Sequence, residues 1–172
     1  MFHDDRPKID IEKSVQDKFL QLTPFILLGI GLVYTLINYN SLPAQVPVHF
    51  NFSGEVTNYA EKNSIWFLTI LGFVLTFGMY KLMRYPHQFN YPVKITPENA
   101  EKQYKSAIKM MTYMNIGVAS LFLIINYEIV RVSINSESGF SLISHYVLNC
   151  ILLAMVVVPI IQVVLTIRKQ KN

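Results

Sequence analysis

His49, Glu128 and His145 are the residues whose types could do chemistry together in this chain, with Asn149 four positions after the second histidine. Two imidazoles and a carboxylate can bind a divalent metal, relay a proton or hold a polar ligand. Their spacing selects none of these. No His-x-x-x-His or Cys-x-x-Cys pair supplies a local metal nest, no Gly-x-Ser-x-Gly elbow presents a nucleophile, and no glycine-rich loop waits for phosphate. Neither a metal nor a cofactor is expected, and an enzyme is the less favoured reading. Each residue also has a plainer role. His49 can organise its own loop through its ring nitrogens. Glu128 has Arg131 at i+3 as an ion-pair partner. His145 and Asn149 can tie helices together. Asn115 and Asn126 mark a polar face on the same helix as Glu128, and Gln162 reads as polar packing between helices. Convergence of His49, Glu128 and His145 in one pocket is the sharper alternative.

What must position them is strongly apolar. The chain has 172 residues, 52% hydrophobic and only 15% charged, against about 25% charged in soluble domains. Phe25 to Ile37, Ile65 to Met79, Ile116 to Ile125 and Val147 to Ile167 are nearly free of charge. With their flanks they approach the ~20 residues that cross a bilayer. A soluble bundle would need charged outer faces, and these segments have none. The expected fold is an all-α integral membrane protein: one domain over 1–172, with four transmembrane helices and a β-hairpin-like loop between the first two. The first apolar run is not expected to be a cleaved signal, because no small-x-small site follows it before the polar insert. The single cysteine, Cys150, lies within the fourth run and reads as a small buried hydrophobe.

Charge sets the expected orientation. Thirteen of the fifteen Lys and Arg residues fall before the first helix, between the second and third, or in the tail, Lys169 and Lys171 included. Only Lys62 and Arg131 fall in the other two connections. The positive-inside rule then puts both termini in the cytoplasm and the 40–63 loop outside. The basic residues are accounted for by topology and anionic lipid, so membrane lipid is the expected partner and nucleic acid is not.

Along the chain, Ile11, Val15, Phe19 and Leu22 recur at helical spacing, which makes 1–22 a cytoplasmic segment with an amphipathic helix over Ile9 to Leu22. Thr23-Pro24 then caps and starts the first crossing, where Gly29 and Gly31 permit close helix approach. Asn63-Ser64 caps the second crossing, and Trp66 suits the outer interface. Thr96-Pro97-Glu98 starts a third helix over 96–132, too long for the bilayer and extended into the cytoplasm. Ser133 to Gly139 turns into a fourth helix over 141–168, which Pro159 should kink.

The loop between the first two helices reads Leu42-Pro-Ala-Gln-Val-Pro-Val-His-Phe-Asn-Phe-Ser-Gly-Glu-Val56. Strict alternation would turn Val48, Phe50 and Phe52 to one face and His49 and Asn51 to the other. Ser53-Gly54 signals a turn, and Val56 to Tyr59 a returning strand. Asn51-Phe52-Ser53 also fits a glycosylation sequon. The stretch resembles the signature of the bacterial membrane-protein family called domain of unknown function 1648, through Leu42, Pro43, Pro47, His49, Phe50, Asn51 and Gly54. The resemblance covers roughly Thr23 to Leu82, and that domain also opens the SdpI-type immunity proteins.

The resemblance implies a protein of the bacterial cytoplasmic membrane with an exported loop. The expected function is binding, sensing or immunity-type interaction. Its candidate partner is an extracellular peptide or a cytoplasmic regulator, and its oligomeric state is open. The candidate binding residues are Pro43, Pro47, His49, Phe50, Asn51, Gly54, Glu128 and His145. The alternatives are an envelope metal-dependent enzyme or a small transporter subunit.

Overall fold

The computed structural model describes residues 6–171. Positions 1–5 of the expected 1–22 segment, and the side chains of Lys169 and Lys171 used for the orientation, lie outside the described residues. Four helices carry the fold: α1 (Val15–Asn38), α2 (Ile65–Leu82), α3 (Ala100–Asn135) and α4 (Leu142–Lys171). Strands β1 (Gln45–Phe50) and β2 (Val56–Glu61) form an antiparallel hairpin between α1 and α2. All four helices lie in segments long and apolar enough to cross a bilayer, which makes this a multi-pass membrane protein. The hairpin marks one end of the bundle. At the other, the terminal end, Arg6 donates to the carbonyls of His87 and Phe89, and the Tyr104 hydroxyl donates to Pro7 O at 3.0 Å.

The helix boundaries correct the expected ones. Residues 9–14 are not helical, and no separate surface helix precedes the first crossing. Ser14 instead opens α1 with a capping box: its hydroxyl accepts from Asp17 N (3.1 Å), and its N–H donates to the Asp17 carboxylate (3.0 Å). The helix then runs through Thr23-Pro24 without a break. Proline removes a single backbone hydrogen bond, and Pro24 is buried within the helix. Helix α3 begins at Ala100, because residues 96–99 form a turn in which Thr96 N donates to Asn99 Oδ1 at 3.0 Å and Thr96 O accepts from Ala100 N at 2.9 Å. It ends at Asn135, three residues beyond Val132, where Ser136 turns left-handed at φ 53°. Its 36 residues span roughly 54 Å at 1.5 Å per residue.

The bundle is a three-helix core, with α4 packed chiefly on α3. Polar residues turn inward. Thr35, Thr69, Thr76, Thr112, Asn115 and Asn126 are buried, Asn115 Nδ2 donates to Thr76 O (3.2 Å), and Thr69 Oγ1 meets Asn126 Oδ1 at 3.3 Å. Lipid tails are as apolar as leucine, so hydrogen bonds and close packing decide which faces meet. Gly31 is one such close approach, with Leu123 3.3 Å from where its Cβ would stand; Gly29, expected to be another, faces open space. Cys150 is likewise exposed rather than buried. Packed chiefly on one helix, α4 turns most of its positions outward.

Within the hairpin, alternation fails after Pro47. The register is irregular between Pro47, His49 and Phe50, so consecutive Val46 and Pro47 are both buried while Val48 is exposed. A bulge shifts the side-chain phase by one position. Val46, not Val48, joins Leu42, Ile65, Ile129 and Val130 in the core at this end.

Candidate functional site

The hairpin end is built on a turn that Asn51 organises. Its side-chain oxygen accepts from Ser53 N (3.0 Å) and Glu55 N (2.9 Å), its amide donates to the Glu55 carboxylate (2.7 Å), and Gly54 N donates to Asn51 O (2.9 Å). Gly54 closes the turn at φ 83°, where a side chain is strained. Its missing Cβ also makes room: an atom there would stand 3.2 Å from Phe140 Cβ and 3.3 Å from His145 Nδ1.

That turn docks on the α3–α4 connection. Residues 138–140 run beside it as a short third strand: Val56 N donates to Ser138 O and Phe140 N to Gly54 O, both at 2.8 Å, and Glu55 bridges Gly139. The Phe50 and Phe140 rings lie 4.2 Å apart. An isolated two-stranded hairpin is marginal in water, and this contact supplies what it leans on.

Glu128 and Arg131 hold the connection in place. Glu128 is fully buried and accepts from Arg131 Nε (2.9 Å), Ser141 N (3.2 Å) and Ser141 Oγ (3.0 Å). Arg131 also donates to Gly139 O (2.9 Å) and to the Glu137 carboxylate. That guanidinium keeps the exposed Glu137 carboxyl below its ordinary range.

The structure thus groups Phe50, Asn51, Gly54, Glu128 and His145 around one docked turn. His49 stands apart, on the exposed side of the hairpin, where Thr57 Oγ1 donates to its carbonyl (3.3 Å) and shares a hydrogen bond with its Nδ1. Pro47 packs into the core, while Pro43 is exposed at the hairpin entrance. Among the described residues no three His, Cys, Asp or Glu side chains are placed to hold a metal. Asn149 donates to His145 O at 2.9 Å and stays on its own helix.

Gly139, Phe140, Ser141 and Thr57 are participants that sequence reasoning missed. Ser141 had a readable signal, since Ser141-x-x-Ser144 heads an apolar run, and Ser144 N donates to Ser141 Oγ at 3.1 Å. The pairing of Gly139 with Glu55 has no local signature.

Two features of this end face outward. Phe52, at the tip, is 105% exposed, and Tyr59 on β2 is half exposed. Below β1 an apolar groove of about 390 Å³ is lined by Val46, Val48, Phe50, Ile65, Phe67 and Ile129, and the buried Ser64 hydroxyl on its wall has no partner among the described residues.

Because His49 bonds within the hairpin, His49→Gln is expected to change thermal stability by no more than about 1 kcal/mol, the worth of one neutral hydrogen bond. Thermal unfolding in detergent measures it. A much larger loss would mean that the ring contacts something besides Thr57.

These features define a class: a multi-pass helical membrane protein whose hairpin is clamped by the connection between its last two helices. Residues 26–73 match the family model described as Domain of unknown function (DUF1648), the family that the Leu42–Val56 motif resembles. The match runs from α1 through the hairpin into α2, so α3 and the clamp residues after it lie outside the matched segment. No curated protein and no solved structure matches the chain.

Proposed function

We propose that this is a binding or sensing protein of the bacterial cytoplasmic membrane, of the immunity type, and that the hairpin end is its recognition element. The observation that carries the reading is Phe52: a fully exposed aromatic at the tip of a hairpin otherwise fixed at every turn. An exposed phenylalanine costs free energy in water, and a rigid mount lowers the entropy lost on binding. The ligand chemistry that fits is an amphipathic extracellular peptide. Its apolar residues meet Phe52 and the groove below β1, and its basic residues meet the exposed carboxylates of Glu55 and Glu61.

Phe52→Ala tests this cleanly, since the tip side chain is free of protein packing. In nanodiscs titrated with a panel of secreted cationic amphipathic peptides, the wild type is expected to bind at least one. Phe52→Ala is expected to weaken that binding on the order of 30-fold, the loss of an aromatic hot spot. Equal binding by both proteins, or none by the wild type, would end the reading.

The same proposal places both termini in the cytoplasm, because thirteen basic residues lie on that side. A C-terminal alkaline phosphatase fusion is expected to be inactive and a fluorescent-protein fusion bright. The reverse pattern would put the hairpin inside the cell and exclude an extracellular ligand.

A further inference from the structure

Two grooves of about 440 and 370 Å³ run along the α3–α4 seam at the terminal end, and both are lined by Gln103, Ser106, Gln162 and Thr166. They are the two sides of one polar bridge: Gln162 Nε2 donates to Ser106 O (3.0 Å) and Ser106 Oγ (2.7 Å). The Gln162 backbone carbonyl accepts from Thr166 Oγ1 (2.9 Å), while among the described residues no donor reaches its side-chain oxygen, Oε1. Here several hundred cubic ångströms stay open on either side.

The larger groove is graded from polar to apolar. Asn99, Lys102 and Gln103 stand at its α3 side, and Val158, Ile161 and Leu165 form its α4 wall. No aspartate or glutamate lines either groove, and among the described residues Lys102 makes no ion pair. Gln162 lies six residues before Arg168, the first charged residue after the apolar run of α4, or about 9 Å at 1.5 Å per residue.

We propose that this cleft is a binding site for an anionic phospholipid with a polyol headgroup. The phosphate pairs with Lys102, the headgroup hydroxyls bond to Asn99, Gln103 and Gln162 Oε1, and an acyl chain lies along the α4 wall. This inference is independent of the peptide reading, which concerns the opposite end of the bundle.

The full chain, purified in detergent, is exchanged into nanodiscs of equimolar phosphatidylcholine and phosphatidylglycerol, re-extracted, and its retained lipids are counted by native mass spectrometry. Phosphatidylglycerol is expected to exceed phosphatidylcholine about fivefold, the ratio that one lysine contributes beside an anionic surface. Lys102→Gln is expected to abolish the preference. Lys109→Gln, on the same helix outside the cleft, should keep it. In nanodiscs of equimolar phosphatidylglycerol and phosphatidate, the wild type should favour phosphatidylglycerol and Gln162→Leu should not, while keeping its preference for anionic lipid over phosphatidylcholine. If Gln162→Leu does not fold, the exposed Lys102 carries the test. A wild type without preference, a preference kept in Lys102→Gln, or an equal loss in Lys109→Gln would each overturn the site. Soluble glycerol phosphate should displace none of the lipid; displacement would reassign the cleft to a soluble phosphate ester and overturn the lipid proposal.

Discussion

Arg131→Leu is expected to release the hairpin from the bundle and to cost about 3–5 kcal/mol, the range for removing one partner of a buried ion pair. The arginine holds three acceptors at once: the Glu128 and Glu137 carboxylates and Gly139 O. Without it, Glu128 is left as a fully buried charge with only Ser141 to bond it. The paired deletion Glu128→Leu with Arg131→Leu removes that orphaned charge and should recover most of the loss. Thermal unfolding of both variants in detergent measures the effect, and proteolysis of residues 40–63 reports whether the hairpin has come loose. A single variant as stable as wild type, or a double variant no better than the single, would show that the ion pair does not hold the cap.

Gly139→Val should have the next largest effect. A Cβ at this position would stand 2.9 Å from Glu55 Cα and 3.1 Å from the Gly54 carbonyl carbon, both backbone atoms that no rotamer change can move. The short strand over 138–140 must then separate from the turn, with loss of the bonds from Phe140 N to Gly54 O and from Val56 N to Ser138 O. Overpacking of this kind costs about 1–3 kcal/mol, and the two lost bonds place it at the upper end. The hairpin should become protease-sensitive while α1, α2 and α3 remain packed. Unchanged protection of Phe50 to Val56 in a folded Gly139→Val protein would show that the third strand is dispensable.

Local signals account for most of what the sequence revealed. Charge-free runs gave the four crossings, because a bilayer tolerates little else. Two prolines and Ser53-Gly54 bracketed the hairpin, and the i+3 spacing of Glu128 and Arg131 gave their ion pair. What stayed hidden depends on distant partners. Period two misassigned Val48 because the register shifts near His49, and it is Val46 that packs with Ile65, Ile129 and Val130. Pro24 read as a helix start because its cost is local and its burial is tertiary. Cys150 read as buried because an apolar run does not reveal how many neighbours its helix has. The pairing of Glu55 with Gly139 joins residues separated by two helices, and neither end advertises it.

That last pairing has a consequence for how the protein is made. Gly54 leaves the ribosome about 85 residues before Gly139, so at 5–20 residues per second the hairpin waits on the order of 4–17 s for its third strand. During that interval it is a nascent element with an open edge at the membrane surface, offered to proteases and chaperones. The ion pair that completes the cap, Glu128 with Arg131, is synthesised only with the last two turns of α3. Quality control therefore has a natural checkpoint: a chain truncated before residue 139 contains every residue of the hairpin and still presents it unfinished.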